Sequence, residues 1–175
     1  MIPNILTTVR LILVPIFAYF LVGCENYSMA AVVFVLSGIT DIADGFIARK
    51  YNMISNFGKI YDPFVDKLMQ ITAVVSLAVV DLIPFWVIAV VAIKEITMII
   101  IGGILYLNKV IVYSHWYGKA ATVLFYAIIF IMILWRGISP EWTMTLVILM
   151  VAAMLCSAGA YLYDIICHYD EKRIN

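Results

Sequence analysis

Six apolar stretches, near residues 6–23, 29–48, 62–81, 84–106, 118–135 and 142–166, account for most of this chain. Each approaches the ~20 residues that a helix needs to cross roughly 30 Å of hydrocarbon. Water offers no home for so many long runs, and the rest of the chain cannot cover them. Of its 175 residues 66% are hydrophobic and 13% are charged, whereas a soluble domain carries about a quarter charged residues. A cytosolic domain, a disordered tail and a secreted disulfide scaffold are excluded. The expected fold is an all-α integral membrane protein with six transmembrane helices, forming a single domain over residues 1–175.

The breaks between runs carry polar or turn-forming residues: Glu25-Asn26, the loop from Asn52 to Lys59, Asp81 with Pro84, the loop from Asn108 to His115, and Arg136-Gly137 to Pro140-Glu141. Six spans put both termini on one side. Arg10, Arg49, Lys50, Lys59, Lys109, Lys119, Lys172 and Arg173 fall on or near that side, and Arg136 falls near the other. The bias predicts cytoplasmic termini in a cell membrane. With 11 basic and 11 acidic side chains, the chain has no basic face for nucleic acid. Cys24, Cys156 and Cys167 lack metal-like spacing and are expected as small apolar residues in or beside helices. Leu21-Val22-Gly23-Cys24 has the look of a lipoprotein cleavage box, but the first nine residues lack the Lys or Arg of a signal sequence.

A charge at the centre of a membrane helix costs about 2.5 to 3.5 kcal/mol on insertion scales, so charges kept inside spans usually have a task. Four of the 11 acids lie within residues 41–66. Asp41 and Asp44 are spaced i, i+3 at the end of the second run. Asp62 and Asp66 are spaced i, i+4 at the start of the third. Each pair shares a helix face. A short loop joins the two runs, so these helices are expected to be antiparallel neighbours with four carboxylates converging near the cytoplasmic surface. Four such anions need a counter-charge. Divalent cations with oxygen ligands supply one, and four carboxylates could bridge two ions about 4 Å apart. Gly45, Ala48 and Gly58 leave room for a ligand beside the backbone, and Arg49 can grip phosphate through two parallel bonds. The simpler alternative is a solvated loop with surface pairs, Asp44 with Lys50 or Asp62 with Lys59.

The pattern Asp41-x2-Asp44-Gly45-x2-Ala48-Arg49-x8-Gly58-x3-Asp62-x3-Asp66 resembles the complete signature of the CDP-alcohol phosphotransferase family. The six-run layout is similar as well, so the resemblance covers nearly the whole chain. It implies a site with two divalent metal ions, Mg²⁺ or Mn²⁺, held by Asp41, Asp44, Asp62 and Asp66. Asp66 would also act as general base on the acceptor hydroxyl. Gly45, Ala48, Arg49 and Gly58 would surround the cytidine diphosphate of the donor, and the enzyme would be a homodimer. A membrane setting makes CDP-diacylglycerol the expected donor. The opening Ile2-Pro3-Asn4-x2-Thr7-x2-Arg10 resembles the bacterial branch that makes phosphatidylglycerol phosphate and cardiolipin, although Pro3 followed by amphipathic residues would also suit the start of an interfacial helix.

The acceptor is less legible. Phosphatidylglycerol phosphate synthases of the family usually carry an Arg-Glu-Phe run and a second arginine in the fourth span. This chain has Lys94-Glu95-Ile96 and no second arginine there. The simpler alternative for Lys94 is a buried structural pair with Glu95, but adjacent residues point about 100° apart on a helix, so Lys94 is expected to seek another partner. Lys94 and Lys119 are the candidate acceptor-binding cations. The expected reaction transfers a phosphatidyl group to glycerol 3-phosphate. The alternative, favoured by the Gly118-Lys119-Ala120-Ala121-Thr122 run, uses phosphatidylglycerol as acceptor. A small ion transporter is a remote third reading, because its charges would sit nearer the bilayer midplane.

Overall fold

The computed structural model of the protein describes residues 2–50, 58–107, 116–135 and 137–168. The expected loops at 52–59 and 108–115 fall largely outside them. Six helices follow in order: α1 (Ile2–Ala18), α2 (Tyr27–Lys50), α3 (Gly58–Val79), α4 (Trp86–Leu107), α5 (Trp116–Leu134) and α6 (Pro140–His168). No strand occurs among the described residues. Three windows are long and apolar enough to cross a membrane: Leu6–Gly23, Trp86–Leu105 and Pro140–Cys167. Tyr27–Ala43 and Gly118–Leu134 are apolar but shorter. The first half of α3 carries Asp62, Asp66 and Lys67, which dilute its hydropathy.

The helix ends follow from local chemistry. A π-helical turn, Tyr19–Gly23, prolongs α1, and the chain then turns through Glu25 at φ 48°. Asn26 caps α2, its Oδ1 accepting from the Met29 amide at 3.1 Å. α3 ends in a Schellman arrangement. The Leu82 amide donates to the Leu77 carbonyl at 2.9 Å, the Asp81 amide donates to that of Ala78 at 3.1 Å, and Asp81 takes the left-handed position at φ 57°. Pro140 opens α6, where a missing amide hydrogen costs nothing.

The chain forms two compact units, Met1–Pro84 with Ile129–Gly137, and Phe85–Ile128 with Ile138–Asn175. In the first, α1 packs against both α2 and α3. Arg10 of α1 reaches a carboxylate on each of them; the loop-side ends, where a short loop is expected to make α2 and α3 neighbours, fall outside the described side chains. Phe17 and Leu21 are buried against a core that includes Ala30, Ala31 and Phe34 of α2 and Val65, Met69, Ala73 and Leu77 of α3. The rings of Phe17 and Phe34 lie 5.5 Å apart. On α3 the buried positions recur at helical spacing, and Asp62 and Asp66 prolong that stripe toward its N-terminus.

In the second unit α4 packs on α6, with Leu105 and Ile165 buried and Ile101 and Tyr161 against them. Ile93, Ile96, Ile99, Ile100 and Ile104 leave an apolar exposed face on α4, as expected where lipid is the solvent. Trp86, Trp135 and Trp142 are exposed at helix ends, where an aromatic belt would sit. Cys24, Cys156 and Cys167 are free thiols.

Candidate active site

Arg10 organises the described carboxylates. It sits on α1 with its side chain 1% exposed. Its Nη1 donates to Oδ1 of Asp66 on α3, and its Nη2 lies 2.9 Å from Oδ1 of Asp41 on α2. One turn earlier on α1, the buried hydroxyl of Thr7 donates to Oδ1 of Asp62 at 2.5 Å. Thr7 and Arg10 are spaced i, i+3 and so share one helix face. Three of the four predicted acids, drawn from two helices, are thus tied to a single face of a third.

The site has an inside and an outside. Arg10 is sealed from solvent, yet Asp41 is 49% exposed and Asp66 30% exposed. The guanidinium therefore holds the carboxylates from their buried side. Buried charge of this kind is costly unless paired. Neither its Nε nor its Nη2 makes a hydrogen bond among the described residues, so Nη2 meets Asp41 as a close ion pair alone, and each unmet donor costs about 1–3 kcal/mol. Packing alone would favour an apolar side chain at this position.

Asp44, Gly45, Ala48 and Arg49 lie on the last two turns of α2, and Gly58 begins α3. Their side chains and surroundings fall outside the described residues, as do those of Lys50 and Lys59. Among the described residues no three acids gather tightly enough to ligate one ion together. The donor chemistry nonetheless fits a hard divalent cation. All the candidate ligands are oxygens, and Asp41, Asp62 and Asp66 outnumber the one Arg10 charge among them.

The acceptor candidates lie in the second unit. Lys94 Nζ is 2.7 Å from Glu95 Oε1, with Lys94 16% and Glu95 1% exposed. This corrects the expectation that neighbours in sequence could not pair: the Cα–Cβ directions diverge, but the lysine stem is long enough to curl back. Lys94 also borders a groove of about 400 Å³ between α4 and α6, with Thr97, Leu155, Ala158, Gly159 and Leu162 among its lining residues. Lys119 is exposed near the start of α5.

The CDP-alcohol phosphatidyltransferase family model matches residues 1–158. The chain belongs to the CDP-alcohol phosphatidyltransferase family. It is 33% identical over 134 residues to the CDP-diacylglycerol–glycerol-3-phosphate 3-phosphatidyltransferase of Bacillus subtilis, covering 69% of each chain. It is 35% identical over 109 residues to a CMP-forming cardiolipin synthase of Streptomyces coelicolor, covering 59% of this chain and 51% of that protein. It is 45% identical over 69 residues to the Rickettsia felis protein bearing the same name as the Bacillus one, covering 38% of each. The match spans about half or less of the latter two proteins. Family membership and the apolar helices together make this phosphatidyltransferase a multi-pass membrane enzyme of phospholipid synthesis.

Sequence reasoning singled out Thr7 and Arg10 in an N-terminal motif but did not place them against the carboxylates, where the structure puts them. The signal was their i, i+3 spacing, which puts Thr7 and Arg10 on one face of a largely apolar helix.

Proposed function

We propose that this phosphatidyltransferase moves the phosphatidyl group of CDP-diacylglycerol to a hydroxyl of glycerol 3-phosphate and releases CMP. The observation that carries the reading is the tie of Asp41, Asp62 and Asp66 to one face of α1, which gathers oxygen donors beside a membrane helix. Two divalent ions, Mg²⁺ or Mn²⁺, would be held by Asp41, Asp44, Asp62 and Asp66; when bound they would neutralise the donor pyrophosphate and make CMP a better leaving group. Arg49 grips phosphate, and Gly45, Ala48 and Gly58 let the cytidine diphosphate approach the backbone. Asp66 takes the proton of the acceptor hydroxyl as its oxygen bonds to phosphorus. The bond from phosphorus to the CMP oxygen breaks, and CMP leaves with that electron pair. Lys94 and Lys119 would meet the acceptor phosphate. The enzyme works as a six-span homodimer, a single domain per chain, with its site on the cytoplasmic side.

A second reading, cardiolipin synthesis from phosphatidylglycerol, is favoured by one observation. Lys94 already has a carboxylate partner in Glu95, which leaves less charge for a free phosphate monoester. The test is CMP release by purified protein with CDP-diacylglycerol and Mg²⁺, with glycerol 3-phosphate and phosphatidylglycerol run in parallel. Turnover with glycerol 3-phosphate supports the first reading; turnover with phosphatidylglycerol alone replaces it with the second. No CMP from either refutes both.

A further inference from the structure

We infer that the Thr7–Arg10 face of α1 is a positioning shelf that sets how tightly the carboxylates hold a divalent cation. The inference rests on the metal-dependent reading above and adds two residues outside the aspartate signature to that site.

The argument is geometric. From α1, Arg10 Nη2, Thr7 Oγ1 and Arg10 Nη1 each engage one oxygen of Asp41, Asp62 and Asp66 in turn. The donors come from the buried side, for Thr7 and Arg10 are 0% and 1% exposed. One guanidinium reaches both carboxylates, by a hydrogen bond from Nη1 to Asp66 and an ion pair from Nη2 to Asp41, and so keeps them close although they belong to different helices. Without that bridge Asp41 and Asp66 would repel and turn apart. Groups that hydrogen-bond a metal ligand fix its orientation, and their loss commonly lowers metal affinity 10- to 100-fold. The shelf carries one positive charge, which tempers repulsion between the carboxylates without cancelling it.

Charge and geometry can be separated by substitution. Arg10→Lys keeps the charge but cannot bridge two carboxylates in one plane. Thr7→Val keeps the branched shape and removes only the hydroxyl that holds Asp62. Both leave the net charge of the site unchanged, so any change in affinity reports orientation. The measurement is Mn²⁺ binding to the full-length protein in detergent, without substrate, followed by the electron spin resonance of free Mn²⁺. Thermal unfolding in EDTA records the metal-free stability of each variant.

Affinity for Mn²⁺ about 10- to 100-fold weaker in each variant is expected, with maximal turnover regained at high Mn²⁺. Unchanged affinity in Thr7→Val and Arg10→Lys, where the wild type binds, overturns the shelf and leaves the metal site standing. If Arg10→Lys does not fold, Thr7→Val decides alone. A wild type that binds no Mn²⁺ overturns the metal reading itself, and the shelf falls with it.

Discussion

Arg10 on α1 and Asp66 on α3, 56 residues apart in the chain, are joined by an ion pair at the buried end of an otherwise open carboxylate group. The same guanidinium holds Asp41 of α2. Three helices therefore meet at one side chain, and the polar group proposed to carry the chemistry is also part of what joins the helices of the first compact unit.

Asp66→Asn tests the division of labour among the acids. The amide keeps the size of the side chain and an oxygen for Arg10, but it cannot take a proton. CMP release should fall by at least about 100-fold, while CDP-diacylglycerol still binds. Turnover at the wild-type rate would remove Asp66 from the role of base.

Arg49→Lys addresses the donor. Lysine offers a point charge where arginine offers a fork matched to phosphate. Loss of one charge-assisted bond should weaken CDP-diacylglycerol binding about tenfold or more. Equilibrium binding of the donor in detergent measures this, and wild-type affinity would place Arg49 elsewhere.

How much of this was legible in the sequence depends on the range of each interaction. The apolar runs and the spacing of Asp41, Asp44, Asp62 and Asp66 are local patterns, and the helices appear within a few residues of where periodicity puts them. Loop length says nothing about which faces of α2 and α3 meet, whereas the structure links Asp41 and Asp66 through a third helix. Arg10 reads locally as one more basic residue near a membrane edge. Its partners are set by the packing of α1 on two other helices, which no periodicity encodes. Lys94 and Glu95 mislead in the opposite way: the rule for neighbours on a helix describes Cβ directions, and a four-carbon stem is not bound by them.

Asp81→Gly probes a turn away from the chemistry. Asp81 holds the left-handed position of the α3 cap at φ 57°, a conformation that costs a side chain about 1 kcal/mol and costs glycine almost nothing. The substitution should raise Tm by roughly 2–4 °C and leave CMP release unchanged. A lower Tm would mean that the Asp81 carboxylate contributes more than its backbone strain removes.

The Lys94–Glu95 pair decides between structure and acceptor recognition. Glu95 is 1% exposed, so Lys94→Met removes a counter-charge from a buried carboxylate and should cost on the order of 3 kcal/mol. That loss alone would obscure any effect on substrate. The double variant Lys94→Met with Glu95→Gln removes both charges together, and replacing a buried pair by neutral groups is often close to neutral in stability. Its Tm should return near the wild-type value. If Lys94 meets the acceptor phosphate, the double variant should show a KM for glycerol 3-phosphate raised at least tenfold with donor affinity unchanged. If the pair is structural, restored stability brings restored KM, and the acceptor phosphate is met by a cation other than Lys94.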